Sequence, residues 1–271
     1  MKANTRIIAL PQEHGSWVFI LSPLIIGFFA ARTFNLHSAA LFVAAMCAFL
    51  LRQPMSILVK VYRGRRPRHE LNAARFWVAL YSLIGLAALA FLLRRGFFFL
   101  LWLAVPGAPV FLWHLYLISR RAERRQMAIE IVATGVLSLA APAALWVSQG
   151  RYDPAGWWLW LLCWLQGAAS IVYAFVRLEQ REWATLLPLA ARWKHAQRAL
   201  LYTSFNLLFT LALSLGNILP RAIALPFLLQ WAETLWGIYR PAWRWKPTRI
   251  GIRQLMVSTL WTLLFILTWR G

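Results

Sequence analysis

Three short polar clusters in this chain are candidates for chemistry. Pro11-Gln12-Glu13-His14-Gly15-Ser16-Trp17 precedes the first apolar run, Arg52-Gln53-Pro54 follows the second, and Arg177-Leu178-Glu179-Gln180-Arg181-Glu182 follows the sixth. A glutamate beside a histidine could hold a metal or move a proton, but adjacent residues on a helix point in different directions, which weakens Glu13 and His14 as a joint site. Glu179 and Glu182 stand three residues apart and share a helical face, while Arg177 and Arg181, four apart, share another. Arg52, Lys60 and Arg177 have the chemistry to grip an anionic head group through charge-assisted hydrogen bonds. Structural roles compete at each place. Pro11 suits a helix start, Glu13 complements a helix dipole, Gly15 and Ser16 allow close helix contact, and the cluster after the sixth run can serve as a charged collar.

A second set of candidates lies inside the apolar runs. His114, Glu130 and Glu233 are ionisable groups that are costly within a bilayer, and Gln166, Asn206 and Gln230 are neutral polar companions. Each has a bland alternative. His114 can be a neutral histidine bonded to a neighbouring helix, Glu130 can snorkel or pair with bases at its run's end, and Glu233 can pair with Arg240. Cys47 and Cys163 sit singly in separate runs and read as small packing residues.

The elements that must position these groups follow from hydropathy and charge. Hydrophobic residues make up 61% of the chain and charged residues 14%, a membrane composition. Nine apolar runs are expected to be helices, near 15–31, 38–62, 76–93, 97–118, 127–147, 157–176, 199–216, 222–239 and 254–269. Of the 29 lysines and arginines, 23 fall at the N-terminus or in every second gap between runs. Because such residues resist translocation, the rich gaps belong in the cytoplasm, which predicts nine spans with the N-terminus inside and the C-terminus outside. The formal net charge of +21 then reads as topology signal and anionic-lipid contact rather than nucleic-acid binding. The crowding of Arg63, Arg65, Arg66 and Arg68 leaves room for a phosphate-bearing ligand. The first 31 residues read as a helix rather than a cleaved leader. Tryptophans near run ends, such as Trp157, Trp158, Trp160, Trp243 and Trp245, fit interfacial belts.

The layout suggests one integral membrane domain over 1–271, all-α, made of two four-helix halves, runs 1–4 and 5–8, and a final helix. Gaps 52–75 and 177–198 are long and inner, and they occur four helices apart. Glu182 to Arg198 carries Trp183, Leu186, Leu187, Ala190 and Trp193 at helical spacing, which predicts an amphipathic surface segment interrupted by Pro188.

The strings Glu13-His14-Gly15-Ser16-Trp17 and Leu50-Leu51-Arg52-Gln53-Pro54, read with Ser22-Pro23-Leu24-Ile25-Ile26-Gly27, resemble the YwiC-like family of bacterial membrane proteins. That resemblance implies a bacterial cytoplasmic membrane location and carries no activity. The layout is also similar to UbiA-type intramembrane prenyltransferases, which have nine helices and hold Mg²⁺ and an isoprenoid diphosphate on aspartate-rich motifs after helices 2 and 6. The chain departs from that pattern where it matters. Its single aspartate, Asp153, lies in an outer gap, Arg52 and Gln53 stand where the first motif would be, and Glu179 and Glu182 alone could replace the second.

The resulting expectation is a protein that binds or handles an isoprenoid, quinone-like or other amphipathic lipid in a cavity open to the cytoplasm. It has no cofactor and no metal site, and is not an enzyme of the ordinary type. Glu13, His14, Arg52, Gln53, Arg177, Glu179 and Glu182 are the candidate ligand-binding residues, expected to gather at one cavity mouth. The alternatives are a divergent transferase, the one case calling for Mg²⁺, and a small-solute transporter using His114 and Glu233. A lipid handler should show an apolar groove with polar groups at one end, and a transporter should show broken helices at the membrane midplane.

Overall fold

The structure, a computed structural model, describes residues 5–11, 14–121 and 126–269. Eleven α-helices and two short 3₁₀ turns make up the described chain, with no strand among the described residues. They are α1 (Thr5–Ala9), α2 (His14–Ala31), α3 (Leu36–Tyr62), α4 (Leu71–Arg94), α5 (Leu101–Ser119), α6 (Met127–Ser138), α7 (Ala140–Gln149), α8 (Ala155–Arg181), α9 (Leu189–Leu215), α10 (Ala224–Tyr239) and α11 (Pro247–Trp269). Each expected apolar run overlaps one of these helices or, for the fifth, the pair α6 and α7; the runs at 97–118, 199–216 and 222–239 overrun α5, α9 and α10 by one to four residues. Seven stretches are long and apolar enough to cross a membrane, with α6 and α7 taken as one; Gly15–Ala31 is a shorter apolar helix, and α10 has 16 residues.

Local chemistry sets the breaks. α3 starts on a capping box, in which the Asn35 side chain accepts from the Ser38 amide and Ser38 returns a bond to the Asn35 amide. It then runs unbroken past Arg52 to Tyr62, as the sequence suggests. The fifth run divides at Leu139 because Pro142, four residues after Ser138, has no N–H to give the Ser138 carbonyl. The amphipathic surface segment is corrected. Residues 182–188 are not helical, and Leu189 onward belongs to the 27-residue α9, which starts directly after Pro188. Asp153 is structural: its carboxylate accepts from the Ala155 amide at the start of α8, and its carbonyl accepts from Trp146 at 2.6 Å.

Contacts divide the chain into two compact units, residues 1–160 and 161–271, with the boundary inside α8. The fifth run therefore belongs with the first four, not at the head of a second four-helix half. Its partner is α2. A Cβ on Gly27 would lie 2.3 Å from the Ala141 carbonyl oxygen and 2.6 Å from the Ala144 Cβ, so the two backbones touch where the missing side chain lets them. In unit 1 the core gathers Ile20, Leu24, Phe49, Leu92, Phe97 and Val147. The five-residue α1 is pinned to this unit by buried Ile8 against Ile57, Val61 and Ala74. Unit 2 packs α9, α10 and α11 with the later part of α8. The buried stripe Thr203, Asn206, Thr210 and Ser214 on α9 recurs at helical spacing.

Candidate functional site

Unit 1 holds a cavity of about 460 Å³ between α3, α5 and the α6–α7 pair, with Ile20 of α2 contributing. Its volume comes from small side chains facing one another. Ala45 and Ala48 on α3, Ala104, Gly107 and Ala108 on α5, and Ala133, Ala140 and Ala143 on the α6–α7 pair line it at spacings of three, four and seven. Large residues, Phe49, Leu103 and Phe111 among them, close the remaining wall. α5 is the loosest wall: Ile118 is its one buried residue, and Pro106 and Pro109 remove two backbone donors from its middle.

Two polar side chains line this cavity, Arg52 and His114. Both are half-buried. α3 and α5 are separated by one antiparallel helix and so run in the same direction. Arg52 and His114 both lie in the later part of their helices, at the same end of the cavity. A hydrogen bond from the Arg65 guanidinium to the Ile118 carbonyl joins the segment after α3 to the end of α5 at that same side. The cavity is thus apolar along its length and polar at one end.

The remaining predicted residues go elsewhere. Glu13 lies outside the described residues; His14 opens α2, and its side chain is likewise outside them. Gln53 donates to the Ile7 carbonyl at 3.0 Å and ties α3 to α1. In unit 2 the cluster after the sixth run does not converge. Arg177 turns inward and is 2% exposed. One of its guanidinium nitrogens donates to the carbonyls of Gly237 at 3.0 Å and Arg240 at 2.9 Å and to Gln180 Oε1 at 2.8 Å. Gln180, fully buried, donates to the Gly237 carbonyl and accepts from the Ala242 amide. These bonds cap the C-terminal end of α10, whose last carbonyls have no intrahelical donor and carry partial negative charge. Arg177 is therefore a helix cap rather than part of a cavity mouth. Its partner, the carbonyl end of α10, was not legible in the sequence. Glu179 is exposed and pairs with His195 Nδ1 at 2.8 Å, and Glu182 is exposed beyond the helix end. Among the described residues no three His, Cys, Asp or Glu side chains gather closely enough to hold a metal ion.

Of the intramembrane candidates, Glu130 is exposed in the first turn of α6, where the dipole favours it. Glu233 pairs with Arg253 of α11, not Arg240, through two 2.6 Å contacts, and accepts from the Tyr173 hydroxyl at 3.0 Å. Sequence reasoning missed Arg253 because it falls in an inner gap by hydropathy yet lies within a helix that starts seven residues before the expected run. Gln230 donates to the Gln166 carbonyl and Ser170 Oγ, both at 3.0 Å, and Asn206 donates to the Leu165 carbonyl at 2.9 Å. These neutral companions tie α8 to α9 and α10.

Fold and hydropathy together define a multi-pass helical membrane protein with an apolar, partly open cavity in unit 1. Comparison with known proteins gives the family: the YwiC-like protein family matches residues 10–145, and the chain belongs to it. A Bacillus subtilis (strain 168) protein described as "Uncharacterized protein YwiC" is 26% identical over 156 residues, covering 56% of this chain and 59% of that protein. The chain thus spans about three fifths of the relative's length. No solved structure matches the chain. The matched region, 10–145, contains every residue that lines the cavity, from Ile20 to Ala143.

Proposed function

We propose that this protein binds and handles an amphipathic lipid in the cavity of unit 1, with an apolar chain among the alanines and a polar or anionic head against Arg52 and His114. The observation that carries this reading is the cavity's chemistry: about 460 Å³ of space, apolar walls, and two polar side chains at one end. That is the size and lining of a small-molecule site. An isoprenoid or quinone-like chain is the ligand class favoured, because the sequence layout, with long inner gaps after the second and sixth apolar runs, resembles that of enzymes acting on such chains. The basic asymmetry of the gaps puts the Arg52 end toward the cytoplasm of a bacterial inner membrane, with the N-terminus on the same side.

Native mass spectrometry of the purified protein tests the reading by detecting a co-purified lipid and then its rebinding. Arg52→Ala should weaken rebinding by about 1.5–3 kcal/mol, the scale of a charge-assisted hydrogen bond, while chelation leaves binding unchanged. Loss on chelation with Arg52→Ala silent would replace this reading with that of a divergent metal-dependent transferase.

A further inference from the structure

The loop between α10 and α11, taken with the first turn of α11 as residues 240–249, carries Arg240, Arg244, Lys246 and Arg249 and no carboxylate; Glu233 is the last acidic residue in the chain. Glu233 is already held by Arg253. Glu179 and Glu182 flank Gln180 and Trp183, on which the loop docks, but among the described residues neither pairs with Arg244 or Arg249, and Glu179 is paired with His195.

Two of them are placed rather than loose. The Arg249 guanidinium lies 4.0 Å from the centre of the Trp245 ring, and that of Arg244 lies 4.4 Å from the Trp243 ring. A guanidinium stacked on an indole uses its face for the ring and keeps its edge donors, which match a phosphate in a two-pronged fashion. Both arginines are exposed, and neither side chain makes a hydrogen bond or ion pair among the described residues. Trp245 also faces buried Arg177 at 5.1 Å, so two guanidiniums lie against one ring and their like charges repel.

The loop is also tied to the helix bundle. Trp243 Nε1 donates to the Trp183 carbonyl at 3.1 Å, and the Ala242 amide is fixed on Gln180. Arg244 has φ 57°, a left-handed backbone that costs energy for a residue with a side chain and that sets the turn between the two tryptophans. Around the loop, the helix ends present exposed apolar side chains: Trp236 and Tyr239 on α10, Ile252, Leu255 and Met256 on α11. Head-group chemistry and acyl-chain chemistry thus occur side by side.

We propose that the Arg240–Arg249 segment is a binding site for an anionic phospholipid of the surrounding membrane. Its phosphate is held by the edge donors of Arg244 and Arg249, and its chains lie along the exposed apolar residues at the ends of α10 and α11. The apolar border favours a lipid over free phosphate, because a soluble anion gains nothing from it.

The test uses the full chain in detergent, with bound lipids counted by native mass spectrometry. Dioleoylphosphatidylglycerol should bind about tenfold more tightly than dioleoylphosphatidylcholine at one site, the range of one or two charge-assisted contacts. The Arg244→Gln/Arg249→Gln double variant should lose that preference with helicity unchanged, since both side chains are exposed. Arg52→Gln should keep it, which separates this site from the cavity of unit 1. Millimolar inorganic phosphate should not displace the lipid. A double variant that folds and retains the preference overturns the proposal, and displacement by inorganic phosphate overturns the assignment to a lipid. If the double variant does not fold, each single variant is measured instead, and retention of the full preference in both has the same consequence.

Discussion

Among the described residues, every buried glutamine, asparagine and arginine side chain lies in unit 2, as Gln166, Arg177, Gln180, Asn206 and Gln230, while the buried polar residues of unit 1 are Ser16, Ser38, Thr134, Ser138 and Ser148. The two regions face the same physical problem. Lipid tails are as apolar as leucine, so burying apolar surface drives helix association weakly, and helices must be joined by close packing or by hydrogen bonds. Unit 1 relies on packing. Gly27 on Ala141 and Gly85 on Cys47 bring backbones together, but where small residues face small residues without backbone contact, volume is left over. Unit 2 relies on polar contacts. Hydroxyls on α9, α10 and α11 return bonds to carbonyls four residues back, as in Thr210 to Asn206, Thr234 to Gln230 and Thr262 to Ser258, and the amides reach across to neighbouring helices. Its cavity among Ser170, Tyr173, Gln230, Glu233, Gln254 and Ser258 is about 20 Å³, room for about one water. A polar seam closes on itself, and an alanine-lined seam can admit a ligand.

The sharpest way to break this contrast is Arg177→Met. It removes a cap from α10 and leaves the Gly237 and Arg240 carbonyls and Gln180 Oε1 short of a donor inside unit 2. Destabilisation of about 3–5 kcal/mol is expected, two or three charge-assisted bonds at once. Hydrogen exchange should localise it to α10 and the 240–246 segment; an effect spread evenly over both units would remove the distinction between them.

Gly27→Ala probes the opposite mode. The new Cβ would meet the backbone oxygen of Ala141, which cannot rotate away. A loss of about 1–3 kcal/mol is expected from overpacking. Thermal unfolding with hydrogen exchange should place it in α2 and α7, and a neutral result would mean that these helices are not held by backbone approach.

Ala48→Leu has the smallest expected effect on stability and the most telling sign. Filling part of the cavity should stabilise unit 1 by about 0.5–2 kcal/mol, as cavity-filling changes commonly do, and should reduce lipid rebinding in native mass spectrometry. Lower stability together with unchanged lipid binding would show that the space is already occupied by protein motion rather than available to a ligand.

The sequence by itself determined the class of this protein. Apolar runs placed every crossing helix to within a few residues at most ends, because hydropathy is a local property that the bilayer reads residue by residue. The long extension of α3 to Tyr62 was legible for the same reason, and so was membership of the YwiC-like family, carried by Glu13 to Trp17 and Leu50 to Pro54. Ends set by non-local partners were less legible: α9 and α11 start ten and seven residues before the expected runs, since charged side chains in their first turns do not stop a helix that has docking partners.

Tertiary structure alone decided which helices meet, and with that the fate of each polar residue. The sequence placed Arg52 and Arg177 at corresponding points after the second and sixth runs. Packing gave them different work, because the space beside Arg52 is walled by alanines of α5 and α6, while the space beside Arg177 is filled by the carbonyl end of α10. A side chain's neighbours across a helix interface come from residues dozens of positions away, and no local pattern of charge or spacing encodes whether those neighbours leave a chamber or offer a hydrogen bond.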